Sequence, residues 1–393
     1  MKFRKDKWKE VALENHCEFV RGPFGGLLKK EIFVDEGFAI YEQQHAINNQ
    51  FEEFRYFVDK SKYNEMRRFQ IAAGDIIMSC SGTFGKIAVI PKKSRPGIIN
   101  QALLKLRCKP ELNTAFFSIW LNSPAFQEKI NESVQGTAIK NIASVSFYKQ
   151  IKIPLPPLEE QQQIAALFQS IDAAIEQVEG QENNLKALRK SLVNKLTKQN
   201  PLFGNLITQS NCKEYLFGDL VVEVPDRTDN PQNSGFEKFI GLEDFESGEL
   251  IIQRFSSTEK LVSAMKLCKK GDVLFARRNV YLKRASITEF DAVCSGDVIV
   301  MRANEKIILP KFLILVMNTD EFWDYTISNA AGTMSKRVKW RDLATYSLEL
   351  PNLKIQSKIL EIFGHLETTL SQLKQQKTTL QHLKQKLLSE ILG

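Results

Sequence analysis

A stretch beginning at Pro156, PPLEEQQQIAALFQSI, returns as PNLKIQSKILEIFGHL from Pro351, a shift of 195 positions (351 − 156). Pro156, Leu158, Gln161, Ile164 and Phe168 recur as Pro351, Leu353, Gln356, Ile359 and Phe363. Upstream, QGTAIKNI from Gln135 meets AGTMSKRV from Ala331, and Gly74-Asp75 meets Gly271-Asp272 at nearly the same shift. Repetition at a fixed spacing means that one structural plan is used twice, so the 393 residues must fold as two related halves.

Each half reads as a mixed α/β globule of about 150 residues, a usual domain size, followed by one long helix. Heptad steps from Ile164 reach Ile164, Phe168, Ile171, Ile175, Val178, Glu182, Leu185, Arg189, Leu192 and Leu196, eight of ten apolar. The repeat gives Ile359, Phe363, Leu366, Leu370, Leu373, Lys377, Leu380, Lys384, Leu387 and Ile391, again eight of ten, interrupted at the same two steps. A narrow apolar seam on a helix otherwise rich in Gln, Lys and Glu asks for a partner helix, while ordinary packing of each helix on its own globule is the alternative. From Ile164 to Leu196 such a helix spans roughly 50 Å. The expected fold is α+β: two mixed α/β domains separated by two long helices packed as an antiparallel coiled coil. The divisions are 1–152, a helix over 153–199, 200–352, and a helix over 353–393. The segment Pro154-Leu155-Pro156-Pro157 should be a stiff lead-in to the first helix, since proline does not continue a strand and suits a helix start.

Charge points toward a polyanion. The formal net charge is +8, and residues 1–152 carry 24 Lys/Arg against 16 Asp/Glu, whereas residues 200–352 carry 19 against 21. If the second half touches nucleic acid, its cations must gather on one face. The N-terminus MKFRKDKWKE has no apolar leader core, and no run of about 18 uncharged apolar residues occurs, so a soluble cytoplasmic protein is expected. Six cysteines without a Cys-x-x-Cys pair fit reduced thiols in packed positions.

The stretch GDIIMSCSGTFGKIAVIP, from Gly74 to Pro91, resembles a phosphate loop only superficially. A P-loop needs four residues between its first Gly and its Gly-Lys-Ser/Thr, and must then open a helix. Here the spacing is shorter, and Ile87-Ala88-Val89-Ile90-Pro91 reads as a strand, so the loop should close a hairpin.

GDIIMSCSGTFGKIAVIP, QGTAIKNI and above all IPLPPLEEQQQIAALFQSIDAAIE from Ile153 make the chain resemble the specificity (S) subunit of type I restriction-modification enzymes. The second copy, LELPNLKIQSKILEIF, keeps Leu350-Pro351 and Gln356 and lacks the Glu-Gln pair. The resemblance implies two target recognition domains, 1–152 and 200–352, each reading one half of a bipartite site on double-stranded DNA. It further implies conserved helices that set the half-site spacing and dock two modification (methyltransferase) subunits, with restriction subunits completing the complex. On that basis S-adenosylmethionine belongs to the modification subunits, ATP and Mg to the restriction subunits, and this chain carries no cofactor or metal of its own.

At the matched place the second copy runs from Gly271-Asp272 into Arg277-Arg278-Asn279-Val280-Tyr281-Leu282-Lys283-Arg284: the frame repeats while the loop changes. A phosphate cradle would keep its glycines, whereas a reader of two different half-sites must vary its contents. Candidate DNA contacts are therefore Ser81, Thr83, Lys86, Thr137, Lys140 and Asn141 in the first copy. In the second they are Arg277, Arg278, Asn279, Lys283, Arg284, Ser335, Lys336 and Arg337. Arg forks onto guanine O6 and N7, Asn onto adenine N6 and N7, and Lys or Thr holds phosphates or a base edge. No Asn/Asp-Pro-Pro-aromatic stretch, glycine-rich fingerprint, nuclease triad after Pro225-Asp226 or metal spacing among His16, His45, His365 and His382 is present, so the expected role is non-catalytic. The alternatives are an S-like subunit of another restriction class, or a self-contained methyltransferase or nuclease with unrecognised motifs.

Overall fold

The computed structural model describes residues 3–24, 26–135, 145–196, 203 and 206–393. It divides into two compact units, Met1–Val178 with Gln376–Gly393, and Glu179–Gln375. The boundaries differ from a division into globules and helices, because each unit takes part of both long helices.

In the first unit a four-stranded antiparallel sheet runs in the order Cys17–Arg21, Leu103–Cys108, Ile76–Ser79, Ile87–Val89. Beside it lies a three-stranded sheet of Phe57–Val58, Phe38–Tyr41 and Gly97–Ile99, the last two parallel. Residues Ile76–Ser79 are buried throughout because the strand is covered on both faces. Alternation decides where each side chain goes: Ile76 and Met78 join the core that holds the long helices, and Ile77 joins a second core with Tyr41 and Ile99.

The second unit repeats the four-stranded sheet in the same strand order. Its four-stranded sheet is Val221–Glu223, Val298–Ala303, Val273–Ala276, Ala285–Ile287. The companion sheet gains strands but keeps the parallel pair, here Lys238–Ile240 with Ala292–Cys294. Val273 and Phe275 face the helix-bearing core and Leu274 the other.

Each globule is closed by a two-stranded antiparallel ribbon, Lys9–Ala12 with Lys152–Leu155 and Cys212–Leu216 with Ser347–Pro351. This revises the expected lead-in: Pro154 pairs with Glu10 inside a strand, and the helix begins only at Leu158. A two-stranded ribbon has free edges, where a residue lacking an N–H is tolerated.

The long helices are Leu158–Val193 and Leu353–Leu392. Prolines precede the first one, and Glu159 and Glu160 in its first turn oppose the positive end of its dipole. In the first unit Ile164 and Phe168, near its start, share a core with Leu388, Ile391 and Leu392, near the end of the second helix. In the second unit Leu192, Val193 and Leu196 share a core with Ile359, Phe363, Leu366 and Leu370. The helices therefore run antiparallel. All sixteen apolar seam residues are buried or half-buried, and those toward the helix ends, Ile164 and Phe168 with Ile391, and Leu192 and Leu196 with Ile359 and Phe363, share cores with both the other helix and a globule. The polar interruptions are paired: Glu182 is buried beside Lys186 at 2.7 Å, Arg189 meets Glu367 at 3.0 Å, and Lys384 meets Asp172.

Candidate nucleic-acid interface

The repeated Gly-Asp is a turn device. Gly74 and Gly271 adopt φ of +87° and +92°, a region where a side chain is strained. The aspartate that follows accepts a hydrogen bond from the amide three residues back, Asp75 from Ala72 at 2.7 Å and Asp272 from Lys269 at 2.8 Å. Each also takes a two-pronged bond from an arginine of the neighbouring strand: Arg107 on Asp75 at 2.6 and 2.7 Å, Arg302 on Asp272 at 2.8 and 2.9 Å. These buried carboxylates tie the turn to the neighbouring strand at the end of the hairpin opposite its loop.

In the first copy the loop over 81–86 joins Ile76–Ser79 to Ile87–Val89 as a hairpin. The Gly85 amide donates to Ser79 O at 3.1 Å and the Lys86 amide to Ser79 Oγ at 3.0 Å. Amides committed to the loop's own closure do not form a phosphate cradle. Thr83 and Lys86 are exposed and Ser81 half-buried. Thr137, Lys140 and Asn141 lie outside the described residues.

In the second copy two segments far apart in sequence come together. The Asn279 amide donates to Lys336 O at 2.8 Å, the Val338 amide to Arg277 O at 3.2 Å, and Arg278 and Arg337 form a β-bridge. Arg278 Nε donates to Ser335 Oγ at 2.9 Å, and Ser335 Oγ donates to Asn279 Oδ1 at 3.2 Å. Asn279 sits in the left-handed region at φ 53°, which Asn tolerates better than most residues. One patch thus gathers Arg277, Arg278, Asn279, Ser335, Lys336 and Arg337, with Met334 at its tip 99% exposed. In the second globule, net negative over 200–352, four cations, Arg277, Arg278, Lys336 and Arg337, stand in this patch.

Lys283 and Arg284 make further contacts. Lys283 Nζ meets Asp320 at 3.3 Å, on the wall of a cavity of about 290 Å³ shared with Lys186, Arg189, Lys190 and Trp323. Arg284 donates to the carbonyls of Leu242 at 2.8 Å and Arg278 at 3.2 Å, and burial pulls its guanidinium below the usual value. Lys283 thus contacts Asp320, outside the cluster, while Arg284 braces the loop through the Arg278 carbonyl.

Sequence reading missed Asp297. Its carboxylate accepts from Arg337 Nε at 3.1 Å and Nη2 at 3.2 Å, with Arg277 at 3.6 Å and Arg278 at 3.8 Å. Hydrogen bonding to Arg337, reinforced by the charges of Arg277 and Arg278, holds this carboxyl below its ordinary range despite partial burial. The available signal was an acid just before a strand whose counterpart in the first copy is preceded by Ala102.

The described histidines at 16 and 45 make local contacts. His45 sits between the carbonyls of Glu42 and Glu53 at 3.0 Å each, and His16 lies 3.3 Å from Glu111. Among the described residues no group of three His, Cys, Asp or Glu is placed to hold a metal, and no helix is both long and apolar enough to cross a membrane.

A duplicated α/β globule with a hydrogen-bonded frame, variable loop contents and two long antiparallel helices defines a class of internally repeated α+β proteins. The chain belongs to the family described as the type I restriction modification DNA specificity domain, which matches residues 5–187 and 225–382. It is 25% identical over 197 residues to a protein named putative type I restriction enzyme MjaX specificity subunit of Methanocaldococcus jannaschii, covering 49% of this chain and 45% of that one. The aligned stretch is therefore less than half the length of that relative. Against the type I restriction enzyme EcoKI specificity subunit of Escherichia coli K12 the identity is 23% over 372 residues, 85% of this chain and 77% of that one. Among solved structures, the type I restriction-modification S subunit from M. genitalium superposes with a TM-score of 0.56 at 17% identity, covering 100% and 98% of the two chains. A chain from a type I system described for its complex assembly reaches 0.63 at 15% identity, covering 98% and 97%. At these identities the superpositions speak to fold alone.

Proposed function

We propose that the chain is the DNA-reading component of a type I restriction-modification complex, each globule reading one half of a bipartite site in double-stranded DNA. The observation that carries this reading is the repeated frame with exchanged contents. The Gly-Asp turn, its arginine partner and the strand order recur, while the loop that carries Ser81, Thr83 and Lys86 in one copy carries Arg277, Arg278 and Asn279 in the other. Phosphate contacts need no such divergence; base readout does.

In this reading the antiparallel helices set the distance between half-sites and dock two modification subunits. The first helix has 36 residues, about 54 Å at about 1.5 Å each, enough to address positions more than one DNA turn of roughly 34 Å apart. Methyl transfer from S-adenosylmethionine belongs to the modification subunits, and ATP- and Mg-dependent translocation and cleavage to the restriction subunits. The chain alone neither methylates nor cuts.

Reconstitution tests this. The chain mixed with cognate modification subunits should methylate adenine in a split sequence with a constant gap, and inserting one heptad into each helix should change the gap. Methylation by the chain alone, or methylation of an uninterrupted sequence, would overturn the proposal.

A further inference from the structure

Arg277, Arg278 and Arg337 reach one carboxylate from two loop segments, and the first copy shows which part of that arrangement is frame. The Cys80 amide donates to Ala102 O at 2.8 Å, and at the equivalent place the Arg277 amide donates to Asp297 O at 3.0 Å. The backbone bond is shared. The side chains at its two ends are Cys and Ala in one globule and Arg and Asp in the other, so the charged pair belongs to the second loop alone.

One carboxylate cannot satisfy three guanidinium groups. Together these carry roughly fifteen N–H donors against about four acceptor sites on the carboxylate. Arg337 takes both oxygens, whereas Arg277 and Arg278 stand at 3.6 and 3.8 Å, near enough for attraction and too far for a good hydrogen bond. Asp297 is only 19% exposed, behind arginines that are 37 to 47% exposed, so it steers them from beneath and leaves their outer edges open. A fork held in advance loses less side-chain freedom when it meets a base.

We infer that Asp297 is the positioning residue of the second reading head: it fixes the fan of Arg277, Arg278 and Arg337 whose outer edges require guanine in one half of the target. This rests on the reading of the chain as a bipartite DNA reader and adds the base class demanded by one head.

The full-length chain, assembled with its modification subunits, is offered a library of random-sequence duplex DNA, and the bound fraction is sequenced. Wild type should select a two-part sequence with guanine in one half. Asp297→Asn should cut the guanine preference in that half by about tenfold, leave the other half intact, and not weaken binding to unselected duplex, since it removes a negative charge. Arg337→Lys keeps the positive charge and loses the fork on Asp297. It should relax the same half-site, and it decides the matter if Asp297→Asn fails to fold by circular dichroism. Folded variants that select the wild-type sequence with unchanged preference would remove the assignment of Asp297 alone. A wild-type assembly that selects no two-part sequence would remove the underlying reading and this inference with it.

Discussion

Arg189 on the first long helix meets Glu367 on the second at 3.0 Å, and the same shift of 195 positions that relates the two halves turns this pair into Lys384 and Asp172, also in contact. The repeat therefore duplicates an ion pair between the two helices, each time giving a charged seam residue an acidic partner on the other helix.

Reversing Arg189→Glu should therefore destabilise the fold by about 1–2 kcal/mol, more than a surface pair, because Arg189 is only 11% exposed and also donates to Gly248 O. Adding Glu367→Arg should recover at least half of the loss. Urea denaturation of the two single variants and the double variant measures the coupling, and simple additivity would refute the pairing.

A second duplicated device anchors the helix starts. Gln161 Nε2 donates to Glu111 O and Pro156 O while its Oε1 accepts from the Asn113 amide; Gln356 repeats this with Ile307 O, Pro351 O and the Leu309 amide. Gln161→Leu or Gln356→Leu orphans three backbone groups near a buried side chain, so each should cost about 3 kcal/mol in chemical denaturation. A change below about 0.5 kcal/mol would mean that water replaces the clamp.

Replacing Arg277 and Arg278 together by Ala should relax or weaken recognition of one half-site by about tenfold or more and leave the other unaffected. Competition binding against duplexes altered in one half at a time provides the check. Equal weakening toward every sequence would assign the pair to phosphates instead.

The Asp297 carboxyl is held below its unfolded value of about 3.9, chiefly by Arg337. A depressed folded pKa gives stability that is present above the unfolded pKa and lost as pH falls through the folded one. The stability gap between wild type and Asp297→Asn should thus be constant from about pH 7 to pH 5 and shrink below about pH 4. A gap independent of pH down to about pH 3 would show that the Arg337 contact does not depend on charge.

The two-copy plan, the hairpin and both long helices were legible because they rest on period and local chemistry: heptads, β-branched runs, a matched shift. The arginine fan was legible in part, since Arg277 and Arg337 stand in segments that the repeat had marked. What escaped depended on which segments meet. Lys283 and Arg284 look like their neighbours in sequence, and only the fold turns them toward Asp320 and Leu242. Asp297 is an ordinary acid until two loops converge on it. Pro154 reads as a strand breaker and is accommodated because its ribbon has just two strands.

The first unit closes Ile164 and Phe168 against Leu388, Ile391 and Leu392, residues separated from them by the whole of the second globule. On the ribosome, then, the half that is made first stays unsealed until residues 376–393 emerge, whereas the contiguous stretch 179–375 has every part it needs beforehand. A chain cut short before Leu388 would lack the cover that Leu388, Ile391 and Leu392 give Ile164 and Phe168, leaving an oily strip of the kind that chaperones and proteases bind.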